Sequence, residues 1–367
     1  MLVIAHVDSE IGFSGGEAQV FLLMEGLRRA GHQNVLFCPP GSLCEAEARA
    51  RGFETRCVTM ANDLDLRAAL QLRRGFAAQR PQLVHLHTGR ANWLGGLAAR
   101  AVGAPAITTR RMDRQVKRGW RTRLIYHHLV RRAAAISPAV ARLLAEGGVP
   151  REIIVTIPSS VDPEELRAKR GQAEIRAELG VASDELLLLC LAALVPRKGL
   201  DVLIDALARL QGARGVSVRV AGDGPERGAL EALVRSRGLE ARVHFLGARR
   251  DKAELLAACD VLVLPSRREG LGVASLEAMA AGRAVLATRV GGLAEAVVNE
   301  RTGLLVEPED PEALAGAIAR LRDEPGLVHR LGRAGPGRVA EGFLADQMVA
   351  AYERLYDEVL SESVSSG

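Results

Sequence analysis

The segment LPSRREGLGVASLEAMAAGRAVLATRVGGLAE, from Leu264 to Glu295, decides how the chain is read. It is entered through VLVLP (261–265), a continuous apolar run with the composition of a strand buried on both faces. A polar loop carrying Glu269 follows, and Gly270 and Gly272 mark a backbone that turns tightly or approaches a ligand closely. From Val273 the periodicity becomes helical, with Leu276, Met279 and Ala280 on one face and Glu277 near the second turn. A helix that opens at a glycine-rich loop presents unpaired N–H groups and a positive dipole end, which suit a diphosphate. Glu269 and Glu277 flank that point and can accept hydrogen bonds from hydroxyls. Phosphate donors beside hydroxyl acceptors imply a nucleotide-sugar ligand.

Working outward, short apolar strands alternate with helical stretches along the whole chain, the pattern of parallel sheets built from βαβ units. LVIAHV (2–7) predicts the first strand. The loop DSEIGFSGGE follows, and a helix is expected from about Gly16, with Val20, Leu23, Leu27 and Ala30 at helical spacing and Gly31 as its stop. Gly15 and Gly16 at this junction resemble a Rossmann first turn, although GGE is not GxGxxG and is equally a turn that needs glycine. LVHLH (83–87) is a strand with His85 and His87 on one face, followed by a helix from about Asn92. Two histidines at period two suggest a metal, but the sequence offers no third ligand nearby, so none is expected. ITTRRMD (107–113) is the next strand and loop. Further on, LLLLCLAALVPRKGL places Arg197, Lys198 and Gly199 between a buried strand and a helix, where a lysine suits a diphosphate leaving group and is otherwise an exposed loop charge.

The chain has 367 residues, enough for two domains, with 48% hydrophobic and 25% charged residues, which excludes disordered and fibrous classes. Five cysteines fall singly and without CxxC, against both a disulfide framework and a zinc ribbon. MLVIAHVDSE has no basic region before its apolar run, and no apolar run approaches the ~20 residues that span a bilayer. A cytoplasmic protein is therefore expected. The net charge of +5 is unevenly spread: residues 100–132 hold nine Arg and one Lys against Asp113 alone. That segment could meet an anionic membrane at its inner face, or a phosphorylated acceptor, or form a solvated surface. Nucleic acid is not expected, because only Trp120 and Tyr126 are available to stack bases.

The central segment resembles the donor-site signature of retaining GT-B glycosyltransferases, specifically glycosyltransferase family 4, and the resemblance covers almost the whole chain. It implies an α/β fold of two Rossmann-like parallel-sheet domains facing across a cleft. An N-terminal acceptor-side domain would span 1–160, a hinge roughly 158–175, and a C-terminal nucleotide-sugar domain 171–342. A helix at 343–360 would return to the first domain, and SESVSSG would form a disordered tail.

By resemblance, Glu269 lies near the transferred sugar, Glu277 holds the ribose hydroxyls, and His87 points towards the sugar. Lys198 and Arg197 meet the diphosphate with the Gly270, Leu271, Gly272 and Val273 backbone. Gly15 and Gly16 face the donor phosphates; AGDGPER supplies the Gly222, Asp223 and Gly224 turn; and Phe245 and Leu246 of VHFLG offer backbone to the base. Arg110, Arg111, Asp113, Arg114 and Lys117 fall where family members place acceptor-facing residues. No cofactor and no metal are implied, because fixed cations stabilise the departing phosphate. The implied partners are a nucleotide-diphosphate sugar donor and a hydroxyl acceptor, lipid-linked or phosphorylated, in cell-surface polysaccharide, lipopolysaccharide or glycolipid synthesis.

One position departs from the family. Gly-Arg-Leu is usual before the lysine loop, whereas this chain has Ala192-Ala193-Leu194, so the arginine that normally partners the lysine is missing at 193. Arg197 could supply that charge. Otherwise the chain is a non-catalytic nucleotide-sugar-binding relative. A GT-B epimerase acting on a sugar nucleotide is the other alternative.

Overall fold

The computed structural model describes residues 1–210 and 215–365. They form two compact units: Met1–Ser160 together with the helix Ala345–Ser365, and Val161–Leu344.

The N-terminal unit is built on seven strands: β1 (Val3–Val7), β2 (Gln33–Cys38), β3 (Glu54–Cys57), β4 (Leu83–Leu86), β5 (Ala106–Arg110), β6 (Arg132–Ala135) and β7 (Ile154–Thr156). They lie in the order β3-β2-β1-β4-β5-β6-β7, all parallel. The chain leaves β1 to one side and resumes at β4 on the other, so the carboxyl ends of β1 and β4 border the crevice where open α/β sheets bind ligands. The first helix, Gly15–Arg29, is started by a capping box. Ser14 Oγ accepts from Gly16 N, and the Glu17 carboxylate reaches back to Ser14 N at 2.6 Å. The helix after β4 begins at Gly89 rather than near Asn92, because Thr88 caps it by accepting from Ala91 N.

The helix Ala345–Ser365 completes this unit. Met348, Val349, Tyr352, Tyr356 and Val359 share one core with Ile4, Leu22, Leu23 and Leu27. Gly26 is what lets the two helices approach, since a Cβ there would stand 2.2 Å from Val349 Cγ2. The helix runs on through Ser361–Ser365, where a disordered tail is expected from sequence. Buried Val359, an Arg132–Glu362 ion pair and serine hydroxyls bonded back to the Glu358 and Val359 carbonyls carry it that far. The last two residues of that expected tail, Ser366 and Gly367, lie outside the described residues.

The C-terminal unit is built on β8 (Leu186–Leu191), β9 (Val216–Ala221), β10 (Val243–Gly247), β11 (Val261–Leu264), β12 (Ala284–Thr288) and β13 (Gly303–Val306). Their order is β10-β9-β8-β11-β12-β13, again all parallel. Leu188, Cys190, Val218, Val220, Val261, Val263 and Leu286 contribute to its core. Its switch point falls between β8 and β11, the two strands that precede the Lys198 loop and the Glu269 loop.

Candidate functional site

In the C-terminal unit, Pro196–Lys198 form a single 3₁₀ turn after β8, and Gly199 turns the chain into the helix Leu200–Arg209 at φ +65°. A Cβ on Gly199 would stand 2.0 Å from Pro265 O, so glycine is what lets this loop lie against the end of β11. Lys198 Nζ then donates to Glu269 Oε2 at 2.5 Å, Ser266 Oγ donates to the same oxygen at 3.3 Å, and Arg197 Nη1 is 3.7 Å away. The lysine and glutamate side chains are only 13% and 12% exposed, which leaves their charges poorly screened by water.

Arg267, which the sequence did not single out, holds the two loops together. Its N–H donates to Arg197 O at 2.8 Å, and its guanidinium donates to Pro196 O at 2.7 Å and to both Asp201 carboxylate oxygens at 2.9 and 2.7 Å. That fork holds the Asp201 carboxyl below its ordinary range. Ala193, where the family arginine is missing, is exposed on the same loop.

Glycines bring the remaining loops together. Gly272 (φ +78°) begins the helix Val273–Ala280. Gly291 (φ +44°) lies under the Glu269 main chain, where a Cβ would meet Glu269 O at 2.0 Å, and Gly292 N donates to that oxygen at 3.2 Å. After β9, Gly222 passes so close to Ala192 O that a Cβ would be 1.9 Å from it, while Asp223 caps Gly224 N at 2.8 Å and Asp223 O accepts from Leu194 N. Phe245 and Leu246 lie on the edge strand β10. Glu277, on the helix Val273–Ala280, receives Lys252 Nζ at 2.6 Å. Lys198, Arg197 and Glu269 therefore form one cluster at the switch point, and Glu277 forms a second with a lysine that sequence reading passed over.

In the N-terminal unit, His87 is joined by a third histidine. His6, on β1, lies beside β4, and the ligating atoms of His6, His85 and His87 lie within 4.8 Å of one another. The expectation of no metal site takes no third ligand to be nearby, and on that point it is corrected: adjacent parallel strands supply one. Hydrogen bonding nevertheless assigns these nitrogens other work. Arg111 Nη1 is 3.3 Å from His87 Nδ1 and can only donate, so His87 carries its proton on Nε2. That proton goes to His6 Nδ1 at 3.0 Å, His6 Nε2–H goes to Asn34 Oδ1 at 2.9 Å, and Asn34 donates to Met24 O. His85 is held separately by Tyr356 OH at 2.8 Å and Thr109 Oγ1 at 2.7 Å. Burial lowers His6 to about 4 and takes His85 and His87 well below the usual imidazole range, so all three are neutral at pH 7.

Arg111 thus sits on His87, with its Cδ 3.7 Å from where a Gly16 Cβ would be. Nearby Asp8, at the end of β1, is pushed up to about 7 by burial. Nothing around Asp8 in the sequence marks it out, because its burial follows from the switch point alone. Of the other residues of the acceptor group, Arg110 ends β5 and the rest lie farther along this loop. Arg110 donates to Arg114 O, while Asp113 and Lys117 belong to the stretch before the helix Trp120–Leu124. Segment 100–132 is not one patch: Arg132 pairs in register with Ile107, near the start of β5, whereas Arg110 ends that strand, so the segment is divided between the two edges of the sheet. Among the described residues, no helix is long and apolar enough to cross a membrane.

The family Glycosyl transferases group 1 matches residues 171–338, and Glycosyltransferase Family 4 matches residues 13–165. The 2-deoxystreptamine glucosyltransferase of Streptomyces kanamyceticus is 32% identical over 316 residues, 79% of this chain and 81% of that protein. The chain belongs to glycosyltransferase family 4.

Two further relatives of this family member are matched over less of their length. The N-acetyl-alpha-D-glucosaminyl L-malate synthase of Bacillus anthracis is 33% identical, over 58% of this chain and 56% of that protein. The lipopolysaccharide core biosynthesis glycosyltransferase LpsD of Rhizobium meliloti is 32% identical, over 63% of this chain and 65% of that protein. The chain thus spans just over half of the first and just under two thirds of the second. Among solved structures, Anabaena HepE in complex with UDP and glucose superposes with a TM-score of 0.88 at 20% identity, over 98% of this chain and 100% of that one. Sucrose-phosphate synthase of Thermosynechococcus elongatus gives 0.83 at 24%, over 99% and 100%. The fold is GT-B.

Proposed function

We propose that this protein is a retaining glycosyltransferase that moves a sugar from a nucleotide-diphosphate donor to a hydroxyl of a cell-surface polysaccharide, lipopolysaccharide or glycolipid precursor. The observation that carries the reading is the Lys198–Glu269 contact at the β8/β11 switch point, beside a glycine-opened helix that also bears Glu277. Lys198, with Arg197 next to it, opposes charge that grows on the leaving diphosphate, and fixed cations of this kind act without reorganisation. Glu269 orients the sugar and Glu277 the ribose. The acceptor hydroxyl gives its proton to the departing phosphate, so no covalent carboxylate intermediate and no metal enter the scheme. HepE, solved with UDP and with UDP-glucose, supports a uridine donor as the first to try.

The acceptor side is assigned to the carboxyl edge of the N-terminal sheet. There Asn62–Arg67 and Arg90 line a hollow of about 710 Å³, and Arg121 ties this loop down through Asp63 at 3.0 Å. Exposed Trp120 (69%) and Met112 (52%) share the segment 110–123 with Arg110, Arg114, Lys117 and Arg123, a mixture that suits an anionic lipid surface at the inner face of the membrane.

A thermal-shift panel of UDP, GDP, ADP and their sugar conjugates tests the donor reading. A ligand at a hundred times its Kd stabilises by ~2.7 kcal/mol. No shift with any of them overturns it. Turnover of a sugar nucleotide without acceptor, giving an epimer rather than free sugar, would make the protein an epimerase. On vesicles, binding should require acidic lipid and weaken as salt shortens the screening length below ~8 Å. Equal binding to neutral vesicles removes the membrane assignment.

A further inference from the structure

The ion pair between Lys252 and Glu277 asks for an explanation that the fold does not supply. Lys252 is the first residue of the short helix Lys252–Ala258, entered from the loop after β10, whereas Glu277 belongs to the helix after β11. Their contact, 2.6 Å from Nζ to Oε1, is made between side chains 39% and 15% exposed. At that exposure a pair adds little to stability. Its other effect is on geometry.

A glutamate's terminal torsion is broad, so an unheld carboxylate spins about its last bond and loses that freedom only when a ligand arrives. Lys252 occupies one acceptor position on Oε1. A carboxylate has about four such positions, and among the described residues the Glu277 carboxylate accepts from no other donor. Oε2 therefore stays open, on a carboxylate whose rotation the lysine restricts, and so do the remaining positions on Oε1 that the two neighbouring O–H donors of a vicinal diol can use. Charge gives a second reason. Two carboxylates close to a diphosphate would repel it, and each has a lysine from a neighbouring element: Lys198 on Glu269 and Lys252 on Glu277.

We infer that Lys252 is a positioning residue that orients the Glu277 carboxylate towards the 2′,3′-diol of the nucleotide ribose, making the site selective for ribonucleotides over deoxy forms. This rests on the reading of the C-terminal unit as a nucleotide site. It concerns how the ribose is told apart, not whether the nucleotide binds.

The test is calorimetric titration with whichever of UDP, GDP or ADP binds the wild-type protein, and with the 2′,3′-dideoxy form of the same nucleotide. Wild type should prefer the ribonucleotide by about tenfold or more, the size of a charge-assisted hydrogen bond. Lys252→Met should weaken ribonucleotide binding about five- to tenfold and leave dideoxynucleotide binding within about twofold, while Lys252→Arg keeps most of the preference. In a Glu277→Gln background, Lys252→Met should add little, because the group it orients has lost its charge. Equal losses for both nucleotides, or no loss, in Lys252→Met would overturn the inference while leaving the nucleotide site in place. Failure of all three diphosphates to bind wild type would bring down the site and the inference together.

Discussion

At the residue scale, distance and exposure rank the cations that sequence could only name. Lys198 touches Glu269 at 2.5 Å and is 13% exposed, whereas Arg197 stands off at 3.7 Å and is 39% exposed. Lys198→Ala should therefore lower kcat by about 10²–10³ with a smaller change in donor KM, and Arg197→Ala should cost less. Steady-state kinetics with the donor found by the thermal-shift panel decide it, and wild-type turnover in Lys198→Ala would remove the diphosphate role. Asp8 gives a prediction of the opposite kind. Its carboxyl is raised to about 7 by burial, so between the ordinary aspartate range and pH 7 the folded chain holds a proton that the unfolded chain has lost. Stability from this group is complete below about pH 4, falls as pH rises to about 7, and is level above. Asp8→Asn should thus be more stable than wild type at pH 8 by up to about 4 kcal/mol, with the advantage vanishing near pH 4 in urea melts. An advantage that did not change with pH would show that Asp8 is not held protonated. Sequence disclosed Lys198 because its neighbours are consecutive. Arg267 and Asp8 stayed hidden, since each owes its role to residues brought in by another strand.

At the level of elements, the alternation of apolar runs and helical stretches already specified parallel sheets, and the glycines marked where loops crowd together. What sequence could not state is which loops meet. Gly291 is the clearest case: nothing in RVGGLAE says that it lies under Glu269, 22 positions earlier, yet its left-handed φ and a 2.0 Å approach to Glu269 O leave room for no side chain. Gly291→Ala should destabilise by at least about 1–3 kcal/mol and displace Glu269 from Lys198. Gly316→Ala, in the open middle of the helix Pro311–Asp323, is the control and should be neutral or stabilising by about 0.4–1 kcal/mol. Equal melting temperatures for the two variants would contradict the close approach. Helix starts were less legible than helices themselves, because Thr88 and Ser14 act through hydrogen bonds to particular N–H groups rather than through periodicity. The expected disordered tail failed for a similar reason: serine-rich sequence reads as loop, but here it continues a helix already anchored by Val359.

Across the whole molecule, the two units differ in what they bury. The N-terminal unit encloses three neutral histidines, His6, His85 and His87, all held below the ordinary imidazole range by burial, while His244 of the C-terminal unit, lowered in the same direction, is exposed. Lowered histidines contribute stability that is full above their unfolded value of about 6.5 and is lost as pH falls below it, at up to ~1.4 kcal/mol per pH unit for each. Asp8 opposes this with one group against three. Hydrogen exchange at pH 7.5 and pH 5 should therefore show protection falling mainly in Met1–Ser160 and the last helix. Equal loss in both units would refute it. Those segments belong together although the second unit separates them along the chain, and this bears on synthesis. Tyr352, Tyr356 and Val359 fill the core against Ile4 and Leu23, and the tyrosines meet Thr109 and His85. On the ribosome, the N-terminal unit emerges before the other yet must wait for all of Val161–Leu344 and the helix beyond, on the order of 10–40 s at ordinary elongation rates. Throughout that wait the apolar groove meant for the helix Ala345–Ser365 is open to solvent and to chaperones, so of the two units the one begun earlier is completed later.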